Sequence, residues 1–186
     1  MEAKELLKDA RQRMDKSISN FVDELTKIRT GRATPALLDT VKVDYYGQQV
    51  PLNQAATVTA PEPRLLAIQP WEKNMLAEIE KAILKADLGL NPGNDGTMIR
   101  IPIPQLSEER RKDLVKLVHK FAEEGRVAVR NIRRDVNDHL KKLEKDHKIS
   151  EDELHNRLDE VQSFTDDHIK KIDEIMKSKE QEVMEV

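Results

Sequence analysis

Apolar positions recur at spacings of three and four in three long stretches of the chain. Between the first and second stretch the spacing changes to two. Met14, Ile18, Phe21, Leu25 and Ile28 alternate at steps of four and three, which predicts a coiled-coil-like helix from about Ala3 to Ile28. A second helix is expected from about Glu108 to His147, with Ser107 as N-cap and Glu108 and Glu109 in its first turn. At 1.5 Å per residue it would be about 60 Å long. Gly125 inside it costs on the order of 1 kcal/mol against alanine. A third helix starts at Ser150, which with Glu153 has the form of a capping box. Leu154, Leu158, Val161, Ile169, Ile172 and Met176 form its apolar stripe. The link at His147-Lys148-Ile149 is so short that the second and third helices must be antiparallel neighbours. The charged tail from Lys177 onward is expected to fray.

The stretch from Thr30 to Leu106 reads as a small α/β domain. Val41-Lys42-Val43-Asp44-Tyr45 alternates as a strand and Gly47 marks the turn after it. Ala56 to Thr59 and Leu65 to Ile68 are further strands. Asn74 to Leu88 is helical, with Leu76, Ile79, Ile83 and Leu84 on one side and Gly89 as C-cap. Met98 to Ile103 is a last strand, made an edge by Pro102 and Pro104. Asn91 to Gly96 reads as a loop of turn residues. The fold class is therefore α+β: an elongated antiparallel three-helix bundle, residues 1–29 and 107–186, with a small inserted domain at 30–106. Both crossings are rich in chain breakers, and the expected hinges lie near 30–35 and 102–106.

Composition narrows the class. Charged residues make up 36% and aromatics 3%, which suits a thin bundle whose core is a seam. No cysteine is present, which removes disulfides, thiolate metal sites and cysteine nucleophiles. Histidines 119, 139, 147, 155 and 168 are scattered without metal-ligand spacing, and no nucleophile elbow or phosphate loop occurs. No metal, cofactor or catalytic residue is expected, and the chain is not expected to be an enzyme. No apolar run spans a bilayer and no signal or transit peptide is visible, so the cytoplasm is the expected compartment.

At a net charge of -3, any case for nucleic acid must rest on local clustering. On an ideal helix with Lys112 at zero, Lys116, His119, Arg126, Arg130, Arg133 and Arg134 fall within about 60° of it. Leu114, Val118, Phe121, Ile132, Val136 and Leu143 fall about 180° to 240° away. Such a basic stripe is either a solvated face salt-bridged to its neighbours, as Glu123 within it favours, or a phosphate-binding face, as its bias toward arginine favours. Few aromatics and no base-reading module point such a face at folded RNA and away from single strands or DNA. Arg29, Arg32, Arg110, Arg111 and Lys112 form a second cluster at the ends of the insert. Thr30, Gly31, Pro102, Pro104 and Gln105 lie with it at the domain junction. That cluster either pins the hinge to Glu108 or Glu109 or adds an RNA contact.

Five segments taken together resemble the bacterial ribosome recycling factor family. They are Lys27-Ile28-Arg29-Thr30-Gly31-Arg32-Ala33, Val43-Asp44-Tyr45-Tyr46-Gly47, Asp87-Leu88-Gly89-Leu90-Asn91-Pro92, Glu108-Glu109-Arg110-Arg111-Lys112 and Arg126 to Asp135. The resemblance covers essentially the whole chain, and departs from the family pattern in the charged tail and at Gly125. It implies an L-shaped, hinged molecule of tRNA-like size, a three-helix bundle with a β/α/β domain. It implies binding to the post-termination ribosome and, with elongation factor G and GTP hydrolysed by that factor, splitting of the subunits. It also implies that Arg130 and Arg133 contact large-subunit ribosomal RNA; the stripe adds Arg126, Arg134, Lys112 and Lys116 as candidates. A monomer without membrane or DNA partners is expected. The rival classes are a coiled-coil scaffold or adaptor with a salt-bridged charged face, and an RNA-binding enzyme, for which no residue set suggests a reaction.

Overall fold

The computed structural model describes residues 2–185. The chain mixes long helices with a small β domain and divides into two compact units, one formed by residues 2–30 and 108–185, the other by Gly31–Ser107.

The first unit contains α1 (Ala3–Thr26), α3 (Glu108–Lys145) and α4 (Glu151–Met184). Pairings along the helices fix their directions. Arg13 meets Asp135 and the Phe21 side chain lies beside Gly125, so α1 runs antiparallel to α3. Arg11 meets Glu160, Asp15 meets His168 and Thr30 meets Glu182, so α1 runs parallel to α4. Between α3 and α4 the chain reverses through His147, whose φ of 55° is left-handed. The Lys148 amide donates to the Leu143 carbonyl across this turn, and the Ser150 hydroxyl then caps α4 by accepting the Glu153 amide at 3.1 Å. The Glu153 carboxylate turns forward to Arg157.

The bundle core differs from its sequence pattern in three ways. Leu114, Val118, Ala122, Gly125, Val129, Ile132, Val136 and Leu140 are the buried positions of α3, a sector about 200° to 280° from Lys112. That is about 30° from the expected sector, because α3 touches two helices and buries small residues on its second flank. Phe121 and Leu143 sit at the margin, half-buried. Gly125 is accordingly a contact point: an added Cβ would lie 3.4 Å from Ile172 Cδ1 and 3.8 Å from Phe21 Cβ. Lastly, the tail does not fray. The helix runs to Met184, because Val183 is fully buried.

The second unit has a two-stranded sheet and a four-stranded sheet around α2 (Leu76–Lys85). β1 (Lys42–Tyr45) and β2 (Gln48–Pro51) form a hairpin whose two turn residues, Tyr46 and Gly47, both have positive φ, the type I′ geometry. β3 (Ala56–Glu62), β4 (Leu65–Pro70), β6 (Ile99–Pro102) and β5 (Gly93–Asn94) pair antiparallel in the order β3-β4-β6-β5. The strand expected at an edge, β6, is thus flanked on both sides. Proline is tolerated there because β5 pairs only with Ile99 and Arg100, leaving Pro102 bare on that flank. The expected loop at 91–96 supplies β5. Leu66, Ile68, Ile79, Ile83, Ile99 and Ile101 make the core of this unit.

Candidate nucleic-acid interface

α3 positions the basic stripe, and its rotation toward α4 divides the stripe into engaged and outward cations. Arg126, which reaches α4, has 18% of its side chain exposed. Its guanidinium donates to Asp173 at 2.8 Å and to Glu123 at 2.8 Å and touches the Met176 sulfur. Burial disfavours its charge, but these carboxylates outweigh burial and raise its pKa. Arg130 reaches Glu123 at 3.2 Å and is 36% exposed. Hydrogen bonds from Arg126 and then Arg130 hold Glu123 below the usual carboxylate range. Arg133 donates to Gln162 at 3.5 Å, a long contact across to α4. Toward the bundle end, His119 faces Glu180 at 3.2 Å.

The outward pole of α3, opposite its buried sector, carries different residues. Lys116 and Arg134 are exposed, and among the described residues neither has an ion pair or hydrogen bond. Lys112 pairs with Glu108 at 3.2 Å, but both side chains are largely in water and the pair is weak. Lys120 and Lys141 are exposed on the same side. Sequence reasoning omitted both. Lys120 lies about 80° from Lys112, outside the sector centred there, and the burial of Ala122 and Leu140 was the missing signal. Lys141, about 20° from Lys112, fell inside that sector and was not counted. Val127 is the apolar interruption of this face, 41% exposed.

The residues expected at the junction do not act alike. Thr30 is buried and its hydroxyl donates to Glu182 at 3.5 Å. Gly31 has φ 74° and is packed so that a Cβ would come within 3.0 Å of Leu106 Cγ. The Ala33 amide donates to the Pro63 carbonyl at 2.7 Å and the Ile103 amide to the Arg64 carbonyl at 2.8 Å. Both crossings are therefore stitched to the same β3–β4 turn, so most of 32–35 and 102–104 belongs firmly to the small unit. Arg29, Arg32, Pro102, Pro104, Gln105 and Arg110 are exposed; Arg111 is half-buried and its Nε has no hydrogen-bond partner among the described residues. Of the expected pinning carboxylates, Glu108 is engaged by Lys112.

Among the described residues no group of three or more His, Cys, Asp or Glu side chains gathers where a metal ion could sit. Nor is any of their helices long and apolar enough to cross a membrane.

Comparison with known proteins gives one consistent result. The family described as ribosome recycling factor matches residues 21–184. The ribosome-recycling factor of Shouchella clausii is 62% identical over 183 residues, 98% of this chain and 99% of that protein. That of Bacillus subtilis is 56% identical over 184 residues, 99% of this chain and all of that protein. A solution structure of a ribosome recycling factor matches with a TM-score of 0.77 at 41% identity, covering 100% of this chain and 99% of the other. A second structure, of the T. thermophilus ribosome recycling factor with E. coli elongation factor G on the E. coli post-termination complex, matches at a TM-score of 0.65. It is 55% identical, covering 98% of this chain and 99% of the other.

Proposed function

The chain belongs to the ribosome recycling factor family, and we infer that it works by laying the outward cationic face of α3 on ribosomal RNA. It recycles ribosomes after translation termination. It is a translation factor and performs no chemistry of its own: GTP is hydrolysed by elongation factor G, its partner in splitting the subunits. It needs no cofactor, acts as a monomer and works in the cytoplasm, where the ribosomes are.

The observation that carries the RNA reading is the division of cations on α3. Arg126 is held by two carboxylates, whereas Lys116 and Arg134 face water without a partner. Arg130 and Arg133 stand between these extremes, each with a single long contact that a phosphate would outcompete. Lys112, Lys116, Arg130, Arg133 and Arg134 thus form the contact to large-subunit RNA, with Arg126 holding the helix that presents them. Phosphate contacts anchor the bundle and release counterions.

The small unit moves on its two ties when elongation factor G acts. The stitching of both crossings to the β3–β4 turn narrows the pivots to Thr30-Gly31 and to the residues around Leu106-Ser107. A bundle whose longest helix spans about 57 Å then transmits the movement as a stiff lever.

Light scattering of post-termination ribosomes with this protein, elongation factor G and GTP tests the reading. Scattering should fall as subunits separate, and the double variant Arg130→Ala/Arg133→Ala should bind ribosomes roughly 10-fold or more weakly with a shallower salt dependence. Unchanged scattering with the wild-type chain would remove the function. Unchanged affinity of the variant across a salt series would remove the RNA face.

A further inference from the structure

The chain's few aromatic side chains are sharply partitioned. Phe21 and Phe164 are buried in the bundle and Phe121 lies at its margin. The remaining three, Tyr45, Tyr46 and Trp71, are the ones with a hydrogen-bonding group, and all lie in the small unit, the tyrosines bonded to Glu72 and Trp71 next to it in the chain. Tyr46 is 68% exposed and Trp71 63%.

These rings are exposed yet held. The Tyr45 hydroxyl donates to Glu72 Oε1 at 2.7 Å and the Tyr46 hydroxyl donates to the other carboxylate oxygen. Asn74 donates to the Tyr46 hydroxyl at 3.2 Å, and the two tyrosine rings stand edge to face at 4.8 Å. Trp71, the neighbour of Glu72 in the chain, donates its indole N–H to Thr57 Oγ1 at 2.9 Å. The turn itself does not call for a tyrosine: Tyr46 sits at φ 50°, where a side chain costs about 1 kcal/mol and Gly, Asn or Asp would be easier. Large aromatic faces fixed in place and left in water are the composition of protein-binding hot spots.

The charge at the centre selects the partner. The phenol hydroxyls of Tyr46 and Tyr45 keep the Glu72 carboxyl ionised, below its ordinary range. A carboxylate fixed by two phenol hydroxyls, and next in the chain to an exposed indole, attracts a cation and repels phosphate. We propose that Tyr46, Trp71 and Glu72 form a docking site for an arginine or lysine side chain projecting from a protein partner. The ring faces supply the cation–π surface and Glu72 the counter-charge. The site is separate from the cationic face of α3 and opposite to it in sign, so one chain offers RNA and protein two chemically distinct handles.

Trp71 is the single tryptophan, so its emission reports on this site alone in the full-length protein. The probe is an acetylated, amidated Gly-Arg-Gly-Arg-Gly peptide, with the Glu-containing counterpart and a uridine dodecanucleotide as alternatives. The arginine peptide should shift Trp71 emission saturably. Glu72→Gln and, independently, Tyr46→Ser should each weaken binding about 5-fold, the size of one cation–π or ion-pair contact. Circular dichroism establishes that each variant keeps its fold, and Tyr46→Ser leaves Glu72 bonded to Tyr45. No saturable shift, wild-type affinity in both variants, or tighter binding of the glutamate peptide or the oligonucleotide would each overturn the site.

Discussion

Arg126 and Arg134 lie two helical turns apart on what a helical wheel shows as one face, yet their environments are opposite. Arg126→Ala removes contacts to Asp173, Glu123 and Met176 and should destabilise the bundle by about 1–2 kcal/mol, measured by thermal unfolding. Arg134→Ala should leave unfolding within about 0.5 kcal/mol of wild type but weaken ribosome binding and lower its salt slope by about one. An equal fall in unfolding temperature for both would contradict the division of the stripe. A wheel drawn from sequence shows charge segregation but not which cation abuts a second helix, because that depends on where Ala122, Gly125 and Val129 are buried. Small side chains carry little hydrophobic signal, so the face was legible and its centre was not. Asp95 offers a test by pH. The Met98 and Thr97 amides, then the Thr97 hydroxyl and Arg100, hold its carboxyl far below the ordinary value. A lowered folded pKa stabilises the loop fully above the ordinary value near 4 and is lost only as pH falls through the depressed value. The Thr97 and Met98 amide resonances should therefore hold their positions from pH 7 to about pH 3; a titration centred near 4 would contradict the loop.

At the scale of elements, Gly125 separates propensity from packing. Helix propensity marks it as a defect, but it lies on the buried stripe where α1, α3 and α4 meet. Alanine fits at ordinary contact distance, so Gly125→Ala should be neutral or stabilise by up to about 1 kcal/mol. Gly125→Leu should destabilise by about 1–3 kcal/mol through overpacking. Thermal unfolding checks both; a marked loss with alanine would show that the helices cannot yield even slightly. The long helices, their order and the short α3–α4 link were readable from periodicity and capping residues. Strands β2 and β5 were not, because two to four residues with a single Val among Gln, Pro, Gly and Asn carry no period and are defined only by pairing across a turn with β1 and β6. The tail misled for the same reason: one buried Val183 outweighs its charged neighbours.

At the scale of the molecule, the two ties between units are the test of coupled movement. Gly31→Pro is a poor lock, since φ of 74° is closed to proline and Leu106 fills the space. Inserting two glycines between Thr30 and Gly31 loosens one tie without disturbing either core. Ribosome pelleting should be unchanged while the rate of subunit splitting falls several-fold. Splitting at the normal rate would mean that movement is not passed through this tie.

The bundle is assembled from the two ends of the chain, and this sets an order of events during its own synthesis. α1 leaves the exit tunnel with Met14, Phe21 and Leu25 uncovered, and both helices that will cover them lie beyond residue 107. At bacterial elongation rates the wait is roughly 4 to 15 s. The intervening unit contains all of its own strands, and its entry and exit are stitched to one turn, so it can close while α1 waits. Once closed, it holds the end of α1 near the start of α3. The later helices then complete a short-range docking instead of a search across the length of the insert.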